Sequence, residues 1–142
     1  MEQFTKNFSY DELIASATAK RLGLDNRPTL EEKEKLRQLA EDILQPIRDA
    51  WKSPIVVTSG YRSEAVNKAV GGVSNSQHRL GEAADIKGGG KDRNRKLFNF
   101  IYKLIAKGDI KVGQLIDEYS YSWIHISLPR KGKENNQILH IK

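Results

Sequence analysis

The 142-residue chain contains no cysteine, which excludes both a disulfide framework and a metal site built from thiolates. It also contains no apolar run approaching the ~20 residues that a membrane-spanning helix requires, so we expect no membrane span. Any metal ion must therefore be bound through nitrogen and oxygen atoms.

The charge balance is basic, with a formal net charge of +6 and an isoelectric point of about 9.5. Such a charge suits a polyanionic partner, whether nucleic acid, anionic lipid or an anionic cell-wall polymer. The chain lacks a block in which aromatic residues alternate with Arg or Lys, the pattern that stacks on nucleotide bases. We therefore expect no nucleic-acid partner, and a basic nucleic-acid-binding domain remains only a competing hypothesis.

The length fits one core, so we expect a single domain over residues 1–142 and a monomer. Residues 1–6 lack the charged-then-apolar pattern of a signal peptide. We therefore expect synthesis in the cytoplasm, and no export route is indicated.

Two helical regions are predicted in the first third of the chain. Ser9, followed by Glu12, is typical of a helix N-cap, and this helix is expected to end near Gly23. Thr29 should cap a longer amphipathic helix, in which Pro46 predicts a kink near the end.

The rest of the chain is richer in strand patterns. We predict helices at 64–69 and 92–107, a loop over most of 73–84, and strands at 54–59, 84–86, 113–119, 122–128 and 138–141. Helices followed by paired strands indicate an α+β fold with a small, largely antiparallel sheet flanked by helices.

The strands at 113–119 and 122–128 read as a hairpin. With an even number of loop residues, Glu118 pairs with Trp123 and shares a face with His125, since paired residues point to the same side. A three-residue loop would instead place Asp117 on that face. The apolar character of the opposite face favours Glu118 over Asp117.

His78, Asp85 and His125 offer two imidazoles and one carboxylate. This set suits a zinc ion whose fourth position is left to water. If the three side chains converge, the protein is expected to be a hydrolase.

A wider set of segments carries a family resemblance. It comprises Thr58-Ser59-Gly60-Tyr61-Arg62-Ser63, then Ser76-x-His78 with Asp85, then Trp123-Ile124-His125. Together these segments, over about residues 4–128, resemble the M15 family of zinc D-Ala-D-Ala carboxypeptidases and phage-type cell-wall endopeptidases, and are most similar to its M15A, or M15_3, branch.

The resemblance implies a hedgehog/DD-peptidase-like fold and one zinc ion on His78, Asp85 and His125. It implies that Arg62 contacts substrate and stabilises the transition state, and that Ser76 contacts substrate beside the metal. The implied activity is hydrolysis of peptidoglycan stem or cross-link peptides at the cell wall, as a carboxypeptidase or an endopeptidase.

One departure from the family pattern concerns the catalytic base. Many members carry an acid three residues before the last histidine, where this chain has Ser122. Relatives in the most similar branch resemble this chain in using a glutamate placed like Glu118, which we therefore expect to be the base. If Glu118 does not serve, the alternative is a non-catalytic, zinc-stabilised module that binds the cell wall.

Overall fold

The computed structural model describes residues 2–142, and its helices precede most of its strands. The helices are α1 (Tyr10–Ile14), α2 (Ala17–Leu22), α3 (Leu30–Leu39), α4 (Gln45–Trp51), α5 (Glu64–Ala69) and α6 (Lys91–Ala106), and a π-helical segment, Ala40–Leu44, joins α3 to α4. The strands are β1 (Val56–Ser59), β2 (Ala83–Lys87), β3 (Gln114–Glu118), β4 (Trp123–Ser127) and β5 (Gln137–Ile141). The predicted α+β class is confirmed. Within residues 2–142, no helix is both long enough and apolar enough to cross a membrane.

The five strands form one sheet in the order β1-β2-β4-β3-β5. The first three pairings in that order are antiparallel, as predicted, whereas β5 runs parallel to β3 at the edge. The N–H of Asn136 donates to the carbonyl of Val112 at 2.7 Å, and the Val112 N–H donates to Oδ1 of Asn136 at 2.9 Å. This reciprocal pair fixes the entry of β5 into the sheet.

The predicted single helix between Ser9 and Gly23 is wrong, because the segment forms two short helices. Ser9 caps α1 by accepting from the Glu12 N–H, as predicted, but Ser16 caps α2 in the same way. A serine side chain that bonds to backbone three residues ahead competes with helix continuation, which explains the break. Gly23 ends α2 in a left-handed conformation with φ of 66°.

The predicted kink near Pro46 takes the form of a π-helical turn. Thr29 and Glu32 form the capping box that starts α3. Pro46 has no N–H, and its ring crowds the carbonyl four residues earlier. The wider turn at Ala40–Leu44 lies where that conflict arises, and it keeps Ile43 and Leu44 fully buried.

The core lies between the helices and one face of the sheet. Its fully buried aliphatic residues from the sheet alternate along β2, β3 and β4, as a half-exposed sheet requires. They are Ala84, Ile86, Leu115, Ile124 and Ile126, and they pack with Leu36, Leu39, Ile43, Ile47, Leu97 and Ile101 of the helical layer. The other face of the same strands carries polar side chains together with Ile116 and Ala83.

The segment after β1 approaches α1 so closely that only glycine fits. A Cβ atom on Gly60 would lie 2.2 Å from the carbonyl oxygen of Leu13, which also accepts the Tyr61 N–H at 2.8 Å. This contact joins the N-terminal helices to the strand that leads into Arg62.

We expect Gly60→Ala to lower the free energy of unfolding by about 1–3 kcal/mol, the usual cost of forcing extra atoms into a packed site. Gly88→Ala is the matched control, because its new Cβ would lie 3.2 Å from Leu97 Cδ2 and 3.6 Å from the nearest backbone atom, the Arg93 carbonyl oxygen. Urea unfolding followed by circular dichroism measures both. Equal losses in the two variants would contradict the close approach.

Candidate metal centre

Asp85 and His125 are brought together by the sheet itself. They are direct partners in the antiparallel β2–β4 pairing, so their side chains project from the same face. His125 Nδ1 lies 3.1 Å from Oδ1 of Asp85, and His78, from the loop before β2, places its Nε2 3.3 Å from the same oxygen. One ligand atom from each residue lies within 4.8 Å of the other two. The predicted convergence is confirmed.

The arrangement fits a zinc ion. Two ligand atoms at about 2.0–2.1 Å from a tetrahedral zinc ion lie about 3.3 Å apart, close to the spacings around Asp85. His78 Nδ1 lies 2.8 Å from the Gly60 carbonyl, which places a ring proton on Nδ1 and leaves Nε2 facing Asp85. That Nε2 is buried and makes no hydrogen bond within residues 2–142. A metal ion would satisfy it.

Asp85 is held as a carboxylate. Burial by itself would raise its pKa, but the neighbouring imidazoles of His125 and His78 outweigh that effect, so the pKa lies below its usual range. A buried carboxylate that stays ionised is the state required of a metal ligand.

The loop that carries His78 is fixed by contacts within the loop and with the segment that follows β1. The His78 N–H donates to Ser76 Oγ at 3.2 Å, and the His78 carbonyl accepts from the Arg62 N–H at 3.0 Å. Gly81 turns with φ of +75°, where a Cβ would lie 2.5 Å from the carbonyl oxygen of Glu32. His78 is therefore only 2% exposed although it lies outside any helix or strand.

Arg62 lies beside the cluster and is largely buried. Its Nη1 donates to Oδ1 of Asn67 at 3.2 Å, and its Nη2 lies 3.9 Å from Oδ2 of Asp85. Burial lowers the pKa of Arg62, while Asp85 and Glu118 raise it, and a guanidinium remains protonated throughout. Sequence reasoning assigned no separate role to Asn67, which is itself buried and donates to the Val73 carbonyl at 2.8 Å.

The hairpin has the predicted register, in which Glu118 lies on the same face as His125. Glu118 pairs with Trp123 across a four-residue loop, and Ile116 pairs with His125, so Glu118 shares the face of the cluster. Trp123 Nε1 donates to Oε2 of Glu118 at 3.1 Å, a contact that sequence reasoning missed. Asp117 lies on the opposite face, where it accepts from the Tyr121 N–H at 2.7 Å.

His140, which has no role in the sequence prediction, pairs with that second acid. Its Nδ1 lies 2.7 Å from Oδ2 of Asp117, and its ring centroid lies 5.2 Å from that of Phe98. His140 thus joins β5 to β3 and lies outside the metal cluster.

A cleft of about 590 Å³ contains every predicted site residue, and its lining includes Arg62, Ser76, His78, Asp85, Glu118 and His125. One wall of the cleft is formed by the segment that connects β4 to β5 and by the first residue of β5. That wall consists of Arg130, Lys133, Glu134, Asn135 and Gln137. No local pattern signals this placement, because it depends on the parallel pairing of β5.

Comparisons with known proteins agree with this chemistry. Residues 6–127 match the model of the family described as Peptidase M15. Over 47 residues, or 32% of the chain, the sequence is 49% identical to the zinc D-Ala-D-Ala carboxypeptidase of Streptomyces albus G. The aligned part is 18% of the length of that relative, so the chain spans only a minor share of it.

We expect the protein to bind one zinc ion and to melt at a higher temperature with zinc than after chelation, because a ligand that binds the folded state stabilises it. His125→Ala should lose both the stoichiometric zinc and the shift. His140→Ala is the matched control, since that histidine lies outside the cluster. Zinc analysis and thermal melts with and without a chelator provide the measurement. Zinc retained by His125→Ala would rule out this ligand set.

Proposed function

The chain belongs to the M15 peptidase family, and we propose that it hydrolyses the stem or cross-link peptides of peptidoglycan, as a D-Ala-D-Ala carboxypeptidase or a related endopeptidase. The family and the three-residue cluster support one zinc ion as its cofactor. The observation that carries the proposal is the meeting of His78, Asp85 and His125 in a cleft that also holds an acid and an arginine.

In this proposal His78, Asp85 and His125 bind the zinc ion. The Gly60 carbonyl holds the His78 ring, and the β2–β4 pairing sets the separation of Asp85 and His125. A bound zinc ion supplies a Lewis acid that polarises the peptide carbonyl and lowers the pKa of a water molecule to about 7.

Glu118 acts as the general base. It accepts a proton from the attacking water, whose oxygen bonds to the carbonyl carbon of the peptide, and it returns a proton to the nitrogen as the C–N bond breaks. Its position on β3, two residues beyond Ile116, the partner of His125, supports this role, as does the hydrogen bond from Trp123 that restrains its carboxylate.

Arg62 and Ser76 bind the substrate. The guanidinium of Arg62, fixed by Asn67, neutralises the negative charge that develops on the carbonyl oxygen or binds the terminal carboxylate of the peptide. Ser76 lines the cleft two residues from His78. Its backbone N–H and carbonyl are bonded to Val73 and Arg79, so its hydroxyl group would contact the peptide.

We also infer that the α+β architecture is of the hedgehog/DD-peptidase type, that residues 1–142 form one domain, and that the protein works as a monomer at the cell wall. The family match over residues 6–127 supports the fold type and the place of action, and the shared core of the N-terminal helices and the sheet supports the single domain. The monomer stays a prediction.

Glu118→Gln should reduce kcat by about 10²–10⁴-fold, the usual contribution of a general base, while the zinc content stays stoichiometric. Glu31→Gln, an exposed change on α3, is the control and should leave kcat unaltered. Product release from stem peptides, followed by chromatography, gives the rate. Unchanged turnover in Glu118→Gln would remove Glu118 from the mechanism.

Zinc binding by the wild type without any turnover would instead support the non-catalytic wall-binding module.

Trp123→Phe tests the restraint on the base. The change keeps an aromatic ring beside Tyr119 (ring centroids 5.0 Å apart in the wild type) but removes the N–H that donates to Glu118. Losing one hydrogen bond to a charged group should lower kcat about tenfold or more, with KM nearly constant. Steady-state kinetics of the zinc-loaded variant separates the two parameters, and a rise in KM alone would show that Trp123 acts by binding substrate.

A further inference from the structure

The segment between β4 and β5 is a defined loop, although it has no helix or strand. The Arg130 N–H donates to Oδ1 of Asn135 at 2.9 Å, and Nδ2 of Asn135 donates back to the Arg130 carbonyl at 3.1 Å. Asn136, with φ of 55°, then bonds reciprocally to Val112. Both ends of the loop are therefore held, and the residues between them have a fixed place along the cleft.

This loop carries two cations into the cleft wall. Arg130 is anchored through Nε, which lies 3.4 Å from Oε1 of the nearly buried Glu82, and its Nη atoms make no hydrogen bond to residues 2–142. Lys133 is exposed and forms no ion pair within the described chain. Glu134 also lines the wall, so its three charged side chains have a net charge of +1.

The cleft lining combines Asp85, Glu118 and Arg62 of the proposed catalytic group with Arg130 and Lys133 of the loop. A guanidinium with free Nη atoms matches the two oxygens of a carboxylate, and an ammonium adds a second donor. An acidic group on a bound peptide would be attracted to Arg130 and Lys133 of the loop. The family match ends at residue 127, so the loop lies outside the matched region.

We propose that Arg130 and Lys133 form a subsite that binds an internal carboxylate of the peptide substrate, away from the bond that is cleaved. The proposal rests on the peptidase function proposed above and adds a substrate preference to it: acidic stem peptides over their amidated forms. Arg130 binds the carboxylate through its Nη atoms, and Lys133 contributes a donor from the same loop.

The test compares two synthetic stem peptides ending in D-Ala-D-Ala, one with its internal carboxylates free and the other with each of them converted to an amide. Both kcat/KM and calorimetric affinity are measured with zinc-loaded protein, the affinity in the Glu118→Gln background. Wild type should prefer the acidic peptide by about tenfold or more, as loss of a hydrogen bond to a charged group predicts. Salt should weaken the preference, because the wall is partly exposed.

Arg130→Gln and Lys133→Gln should each reduce the preference several-fold, and Glu134→Gln should increase it. Lys131→Gln is the matched control, since Lys131 lies in the same loop, is exposed and does not line the cleft. Arg130→Lys keeps the positive charge that pairs with Glu82, so it controls for a loop that is disturbed when this ion pair is lost. This variant should retain part of the preference.

Equal activity and affinity for the two peptides in wild type would overturn the subsite, as would a preference that survives both the Arg130→Gln and Lys133→Gln changes. Failure of the peptidase function gives a different result, namely no turnover of either peptide. In that case the calorimetric comparison still decides whether the loop recognises a carboxylate.

Discussion

The pairing of Asp85 with His125 across β2 and β4 is the contact on which the site depends. Directly paired residues in an antiparallel ladder have Cβ atoms about 4.5–5.5 Å apart and point to one face. The core fixes the register, because Ala84 and Ile86 flank Asp85 while Ile124 and Ile126 flank His125, and all four are fully buried. A slip of one residue would send the acid or the imidazole into the apolar core. Hydrophobic packing on one face of the sheet therefore sets a metal-binding distance on the other.

The third ligand depends on a different kind of constraint. His78 lies in a loop, and two hydrogen bonds fix its position. Its ring Nδ1 bonds to the Gly60 carbonyl, and its own carbonyl accepts from the Arg62 N–H. Gly60 in turn lies against Leu13 of α1. The N-terminal helices thus act on the metal site through one close backbone approach, which links their packing to zinc affinity.

Local patterns predicted much of this arrangement. The alternation along β3 and β4 indicated the core face correctly, and the parity of a four-residue loop placed Glu118 rather than Asp117 beside His125. The break at Ser16 was missed because a serine can either continue a helix or cap the next one, and spacing alone does not distinguish the two.

The strand at 138–141 was predicted, but its parallel pairing with β3 was not. That pairing joins residues 23 positions apart, the bond between Asn136 and Val112 joins residues 24 positions apart, and no short-range signal encodes such contacts. The cleft wall formed by residues 130–137 follows from that long-range pairing. The sequence motifs therefore predicted the metal ligands but not the wall that residues 130–137 add to the same cleft.

In the β3–β4 hairpin, the position three residues before His125 holds a residue that closes the bend. Ser122 occupies that position, and its hydroxyl donates to the Tyr119 carbonyl at 2.7 Å, closing a loop in which Tyr119, Ser120 and Tyr121 all have positive φ. A longer acidic side chain there could not make this short closure. Glu118 lies at the other end of the same loop, paired with Trp123 and on the face of the cluster. The hairpin thus uses position 122 to close its bend and presents Glu118 on the face of the cluster.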